Sequence, residues 1–263
     1  MYLMESDREA KRLRLKTNLD DVRRQARWAG ITEGMRVLDV GCGSGAATEA
    51  LGELVGPTGA VVGIDFSAQR LADAKQESAL PWVDFALHDI KEPYLAEQPF
   101  DAVWSRFFLE YFRAEQLEVI RNSVASLRPG GIVCLGDLDH NCLNHYGHNA
   151  KIQQTLVDVM VHLENEHNFD PYAGRRLYHH LYTLGFQEIA CTLEAHHLIY
   201  GDANDVDLYN WITKIEVAAS RSGCTFSAYE GGYEAFRDDV RAFFKDPARF
   251  IYTPLIIVRG IKQ

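Results

Sequence analysis

The chain has 263 residues, 47% of them hydrophobic and 24% charged, a composition ordinary for a soluble globular protein of one sizeable α/β domain or two small ones. A formal net charge of -10 argues against a nucleic-acid partner, whose phosphates are held by clustered Lys and Arg. Five cysteines, an odd number without C-x-x-C spacing, argue against a disulfide framework, and no apolar run approaches the length of a membrane span.

In chain order, Met1 to Asp7 has no basic stretch followed by an apolar core, so no signal peptide is expected and a cytoplasmic location is. Residues 5 to 28 are rich in charge and carry Leu13, Leu15, Leu19 and Val22, the pattern of one or two helices. Residues 1–29 are therefore expected to form an N-terminal helical cover. Gly30 to Gly34 is a turn that launches a first strand, Arg36 to Val40, followed by Gly41-Cys42-Gly43-Ser44-Gly45 and a helix from Ala46. Glycines at alternate positions permit positive φ and remove side chains that would block a ligand. A strand, a glycine-rich turn and a helix form a nucleotide-binding device in doubly wound α/β folds.

A second apolar run, Ala60 to Asp65, ends in an acid and reads as a buried parallel strand, with Ser67 as the cap of the helix that follows. Trp82 to Ile90 is a third strand and Phe100 to Arg106 a fourth. Leu117, Ile120, Val124 and Leu127 recur at helical spacing, and Arg128-Pro129-Gly130-Gly131 is expected to turn the chain into a fifth strand, Ile132 to Asp137. Helical patterns follow around Ile152 to Leu163, from Tyr172 to near Gly185, and from Leu208 through Ile215 and Tyr233 through Phe244. Gln187 to Tyr200 and Tyr252 to Ile261 read as the last two strands.

Val37-Leu38-Asp39-Val40-Gly41-Cys42-Gly43-Ser44-Gly45 resembles motif I of the class I S-adenosylmethionine-dependent methyltransferases, V-L-D-x-G-x-G-x-G, at every specified position. Asp65, Asp89, Phe100-Asp101-Ala102-Val103 and Leu127-Arg128-Pro129-Gly130-Gly131 follow in that family's order, so the resemblance covers roughly residues 30 to 139. It implies a Rossmann-like α/β fold, a doubly wound seven-stranded sheet in the order 3-2-1-4-5-7-6. Two segments, about 141–170 after strand five and 202–248 between strands six and seven, would then be helical lid insertions in a domain of residues 30–263.

The resemblance implies S-adenosylmethionine as cofactor. Gly41, Cys42 and Gly43 would approach it, and Asp65, with Phe66 beside it, would accept its ribose hydroxyls. Asp89 would accept its adenine amino group, flanked by His88 and by Ile90 packing on the ring. Ser105, Arg106 and Phe107 would lie against its methionine end. Tyr2 and Arg12 resemble a lead-in that folds over that end in some bacterial small-molecule methyltransferases, where a guanidinium can hold a carboxylate by two hydrogen bonds.

The expected acceptor is a small molecule lined by Tyr111, Tyr146, Tyr172 and Trp211, with His140 as candidate base and a satisfied loop histidine as the competing reading. Asp137, Asp139 and His140 could bind a cation, but no repeated metal-ligand motif is present and no metal is expected. Three alternatives stay open. An NAD-dependent dehydrogenase shares the glycine-rich turn, a non-catalytic cofactor-binding protein would keep motif I, and the inserted helices could join two copies as a homodimer.

Overall fold

The computed structural model describes residues 18–263. Tyr2 and Arg12, and the part of the expected cover before Asn18, lie outside the described residues. Within them, short apolar runs alternate with helical patterns, and the chain winds a parallel sheet flanked by helices on both faces. The strands are β1 (Arg36–Val40), β2 (Ala60–Asp65), β3 (Val83–Leu87), β4 (Phe100–Arg106), β5 (Leu127–Leu138), β6 (His145–Tyr146), β7 (Gln187–Tyr200) and β8 (Phe250–Ile261). The helices are α1 (Leu19–Ala29), α2 (Ala46–Val55), α3 (Ala68–Glu77), α4 (Gln116–Ser123), α5 (Ala150–Glu166), α6 (Ala173–Thr183), α7 (Asp205–Ser222) and α8 (Gly232–Lys245).

The sheet runs β3-β2-β1-β4-β5-β8, with β7 on the outer edge of β8. β1 to β5 are parallel, and β8 is antiparallel to both β5 and β7. This is the order expected from the sequence, with one addition. The two-residue β6 pairs His145 with Ile251 and Tyr146 with Phe250, extending the β5 side of β8 past its last β5 partner at Leu255.

The Leu127 to Gly131 segment differs from the simple turn expected. Leu127 already pairs with Phe100, and the register shifts before Ile132 pairs with Ala102. Pro129 has no N–H to give the ladder, and Gly130 takes φ 73°. The resulting bulge is held from the chain's end, where Gly130 donates to the Lys262 carbonyl at 2.8 Å and Lys262 donates back to Gly131 at 2.9 Å.

Adjacent strand residues point to opposite faces, and both faces are buried. Val37, Val61 and Ala102 meet Val22, Ala26, Leu51 and Val55 of α1 and α2. Leu38, Val103 and Val133 meet Val119, Ile120, Leu177 and Leu181 of α4 and α6. Helices α5, α7 and α8 share a third core, built on Leu163, Trp211, Phe236 and Phe244. Asparagines start two of them: Asn149 Oδ1 accepts from Ile152 N at 2.9 Å, and Asn204 Oδ1 from Asp207 N at 2.8 Å.

One side chain ties the start of the loop after β3 to helix α4. Asn122 of α4, 6% exposed, donates through Nδ2 to the carbonyls of Ile90 at 3.0 Å and Lys91 at 2.9 Å. Removing that amide leaves two carbonyls without their donor. Asn122→Ala should therefore cost about 1–3 kcal/mol in urea unfolding. An unchanged midpoint would mean that the loop finds other donors.

Candidate functional site

At the carboxyl end of β1 the chain must leave the sheet sharply. Gly41 does so at φ 74°, and its amide and that of Cys42 both donate to the Ile64 carbonyl, at 2.9 and 3.0 Å. A Cβ on Gly41 would lie 2.3 Å from Phe108 Cδ2, so no other residue fits under that ring. Gly45 starts α2 at φ 83°, and a Cβ there would meet Phe85 Cζ at 2.9 Å. Gly43 is different: nothing lies within 4 Å of its Cβ position, so it faces open space.

The Asp65 carboxylate ties this turn to the next. Oδ2 accepts from Gly43 N at 3.0 Å and Oδ1 from Ser67 N at 2.9 Å. Each oxygen retains a second lone pair for a ligand hydroxyl.

These turns form the floor of a cavity of about 1340 Å³, its open mouth included. Gly41, Cys42, Gly43, Asp65 and Phe66 line it from β1 and β2, and Arg106, Phe107, Phe108 and Tyr111 from the end of β4. Met160 and Leu163 of α5, Phe169, and Lys214 and Ala218 of α7 close the far side. A smaller chamber of about 260 Å³ holds His88, Asp89 and Ile90 and shares Gly41, Asp65, Phe66 and Phe108 with the first.

Most of the residues expected at a cofactor site thus meet in one cleft. Ser105 lies behind it, 3% exposed, and donates from Oγ to the Val40 carbonyl at 3.1 Å, tying β4 to β1. The acceptor set changes more. Tyr111 lines the cavity, but His140 and Tyr172 line a separate pocket with Leu143, His148 and Leu156, their rings edge to face at 5.2 Å. His140 is therefore not in the cavity wall, and the expected base role has no support there. Tyr146 is 77% exposed, because its short strand sits at the far end of β8. Trp211 is 1% exposed, its ring filling the lid core against His145, His197 and Phe244. Both are corrections to the sequence reading.

The polar groups that do face the acceptor side come from three distant segments. Glu110, on the short 3-10 turn Leu109–Tyr111, is 5% exposed, and Lys214 of α7 is 8% exposed. Asn141 joins them, donating from Nδ2 to Glu110 Oε2 at 2.6 Å while Lys214 Nζ donates to its Oδ1. Lys214 carried a sequence signal, a lysine amid Trp211, Ile212 and Ile215 on an otherwise apolar helix face. Asn141 carried none. Asp139, named above as a possible cation ligand, is engaged by Arg175 through two bonds at 2.6 and 2.9 Å.

Burial sets the charges around the cleft. Asp39, 2% exposed, is pushed up to about 7 by desolvation, with the Asp65 charge adding and the Thr48 hydroxyl opposing. Asp137, fully buried, is raised well above the carboxylate range by desolvation and then by Glu110. Burial lowers the Arg106 guanidinium to about 10, so it stays protonated at neutral pH, and its Nε has no hydrogen-bond partner among the described residues. No cluster of three or more His, Cys, Asp or Glu among the described residues could hold a metal ion.

Residues 37–131 match the family model described as a methyltransferase domain. Over 108 residues the chain is 38% identical to a demethylmenaquinone methyltransferase of Staphylococcus aureus (strain JH9), a match covering 40% of this chain and 44% of that protein. The chain thus spans less than half the length of the curated relatives it matches. Among solved structures, the [4+2]-cyclase SpnF is similar with a TM-score of 0.56 and 21% identity over 93% of this chain and 81% of that one. Haemonchus contortus phosphoethanolamine N-methyltransferase 2, in complex with phosphomonomethylethanolamine and S-adenosylhomocysteine, is similar with a TM-score of 0.51 and 19% identity over 88% of this chain and 49% of that one. At these identities the structural likeness is one of fold.

The raised Asp39 makes stability depend on pH with a definite sign. Well below pH 3.8 the carboxyl is protonated in both folded and unfolded chains and contributes no slope. Between its ordinary value of 3.8 and its folded value of about 7, the unfolded chain releases the proton and the fold keeps it. Stability then falls as pH rises, by about 1.4 kcal/mol per pH unit, and levels off above 7. Asp39→Asn cannot ionise, so its stability relative to wild type should improve from pH 4 to pH 7 in urea titrations. A difference independent of pH would mean that Asp39 is charged in the fold.

Proposed function

We propose that the chain belongs to the class I S-adenosylmethionine-dependent methyltransferase superfamily, on the methyltransferase-domain match of residues 37–131 and the order of its sheet, and that it transfers a methyl group to a small-molecule acceptor. The observation that carries this reading is the single cleft whose floor is the glycine-rich turn with Asp65 and whose roof is the apolar wall of α5 and α7. Residues 30–263 act as one methyltransferase domain in this reading, with segments 141–170 and 202–248 as its lid and residues 1–29 as a cover.

The donors and acceptors present fit the cofactor. Gly43 leaves room where a side chain would stand, Asp65 keeps lone pairs for two ribose hydroxyls, and Asp89 in the adjoining chamber can accept an adenine amino group beside Ile90. The unpartnered Nε of Arg106 belongs to a buried cation suited to the carboxylate of the methionine end. S-adenosylmethionine, when bound, supplies an electrophilic methyl group on a sulfonium. The protein's own contribution is to hold the acceptor in line with that methyl and to exclude water with Met160, Leu163, Phe169 and Ala218. Phe107, Phe108 and Tyr111 offer aromatic faces that favour a neighbouring cation. Free cysteines, among them Cys42, Cys134 and Cys142, support a reducing, cytoplasmic setting.

Calorimetry tests the cofactor. S-adenosylhomocysteine should bind saturably and NAD should not. Asp65→Ala should weaken the former by about 1.5–3 kcal/mol while the fold persists. Saturable NAD binding without S-adenosylhomocysteine binding would overturn the reading, and an unchanged affinity in the variant would move the ribose elsewhere.

A further inference from the structure

The cavity pairs a cation and an anion on the two ends of one amide. Lys214 Nζ donates to Asn141 Oδ1 and lies 5.3 Å from the Trp211 ring centroid. An ammonium has three N–H donors, and burying it is costly unless they are used. Glu110 Oε2 accepts from the same amide's Nδ2 at 2.6 Å, and both side chains line the cavity. The wall around them is apolar and aromatic, with Tyr111, Phe169, Met160, Leu163 and Ala218.

We propose that the acceptor is a ring compound with an acidic hydroxyl, a phenol or enol, and that this hydroxyl docks between Lys214 Nζ and the Glu110 carboxylate. The proposal deepens the methyltransferase reading and rests on it. The chemistry of the pair selects the group. A carboxylate here would face Glu110, and an ammonium would face Lys214, each at a cost in a site screened from water. A hydroxyl both donates and accepts, so it satisfies the two together.

The proton step balances within these residues. The acceptor's O–H bond breaks, the proton passes to a Glu110 oxygen, and the electron pair stays on the acceptor oxygen against the Lys214 ammonium. A nearby positive charge lowers the pKa of such a hydroxyl, so the step needs no histidine, and His140 lies in another pocket. His145, which feels the Lys214 charge, is pushed down to about 3 chiefly by burial, so it adds no competing cation.

The test uses 4-nitrophenol, whose phenolate absorbs visible light while the phenol does not, titrated on the full chain with and without S-adenosylhomocysteine. Bound to wild type it should titrate about one to three pH units lower than free in solution. Lys214→Gln, which retains a donor for Asn141, should restore the free value, and Lys214→Arg should keep most of the shift. Glu110→Gln should weaken binding of the probe about tenfold, the scale of a lost bond to a charged group. Neither 4-nitroanisole, which lacks the proton, nor 4-nitrobenzoate, which is anionic throughout, should bind as tightly. Circular dichroism confirms that each variant is folded. An unshifted probe on wild type, a shift that survives Lys214→Gln, or equal binding of 4-nitrobenzoate would overturn the proposal. Because the titration is scored with and without S-adenosylhomocysteine, failure of the cofactor reading is seen separately in calorimetry.

Discussion

The Asp65 carboxylate holds the ligand end of this sheet together. Its two oxygens accept amides from the turn after β1 and from the turn after β2, 3.0 and 2.9 Å away. The Ile64 carbonyl adds two more bonds, to Gly41 and Cys42. Four backbone amides from two loops therefore converge on two consecutive residues of β2. That convergence fixes where the chain leaves β1, and the departure at Gly41 leaves space for Phe108 to fill. Phe108 and Asp65 in turn line both the main cavity and the adjoining chamber. A cleft placed by backbone hydrogen bonds at strand ends has its shape set without a ligand, as the proposed in-line transfer would require.

The acceptor side is built on a different principle. Helices α5, α7 and α8 have their own apolar core, separate from the two that cover the sheet. Trp211 stacks with Phe244 at 5.7 Å and packs edge-on to His145 at 5.0 Å, and Phe236 packs against Phe226 and Tyr229. Most of the lid's aromatic rings are spent on that core. What reaches the cavity from there is mostly aliphatic or small, with Phe169 as the aromatic exception and Lys214 as the charged one. In the proposed reading the sheet supplies the cofactor's polar contacts, and α5 and α7 supply shape and one charge.

This division explains what could be read in the sequence. The β1 turn, Asp65 and Asp89 were legible because each lies at the end of an apolar run, where strand geometry alone sets the direction of the chain. The strands were legible for the same reason, while their order in the sheet came from the family resemblance and not from the runs themselves. The acceptor wall was not. Trp211 and Lys214 are three apart on α7 and share one helix face, and helical spacing cannot say that the ring fills the lid core while the ammonium reaches the cavity. Tyr146 looked like a pocket aromatic until β6 carried it to the exposed end of β8. Glu110, Asn141 and Lys214 meet through bonds across 31 and 73 positions of sequence, which no local pattern encodes.

Burial also decides which acids a ligand feels. A net charge of -10 would suggest a strongly anionic cleft, yet desolvation raises the pKa of two carboxyls at or beside it. Asp39 stands near 7 behind the glycine-rich turn, and Asp137 lies well above its ordinary range beneath Glu110. Against the acids that remain stand two buried cations, Arg106 at the β4 end and Lys214 at the lid end. In an interior of low dielectric an unpaired charge is costly, so each cation is a place for an anionic or ionisable oxygen of a guest. In the proposed reading, a carboxylate at Arg106 and an ionisable oxygen at Lys214 would come from two separate molecules. The cleft's electrostatics fit that proposal of two ligands side by side, the arrangement a transfer between them needs.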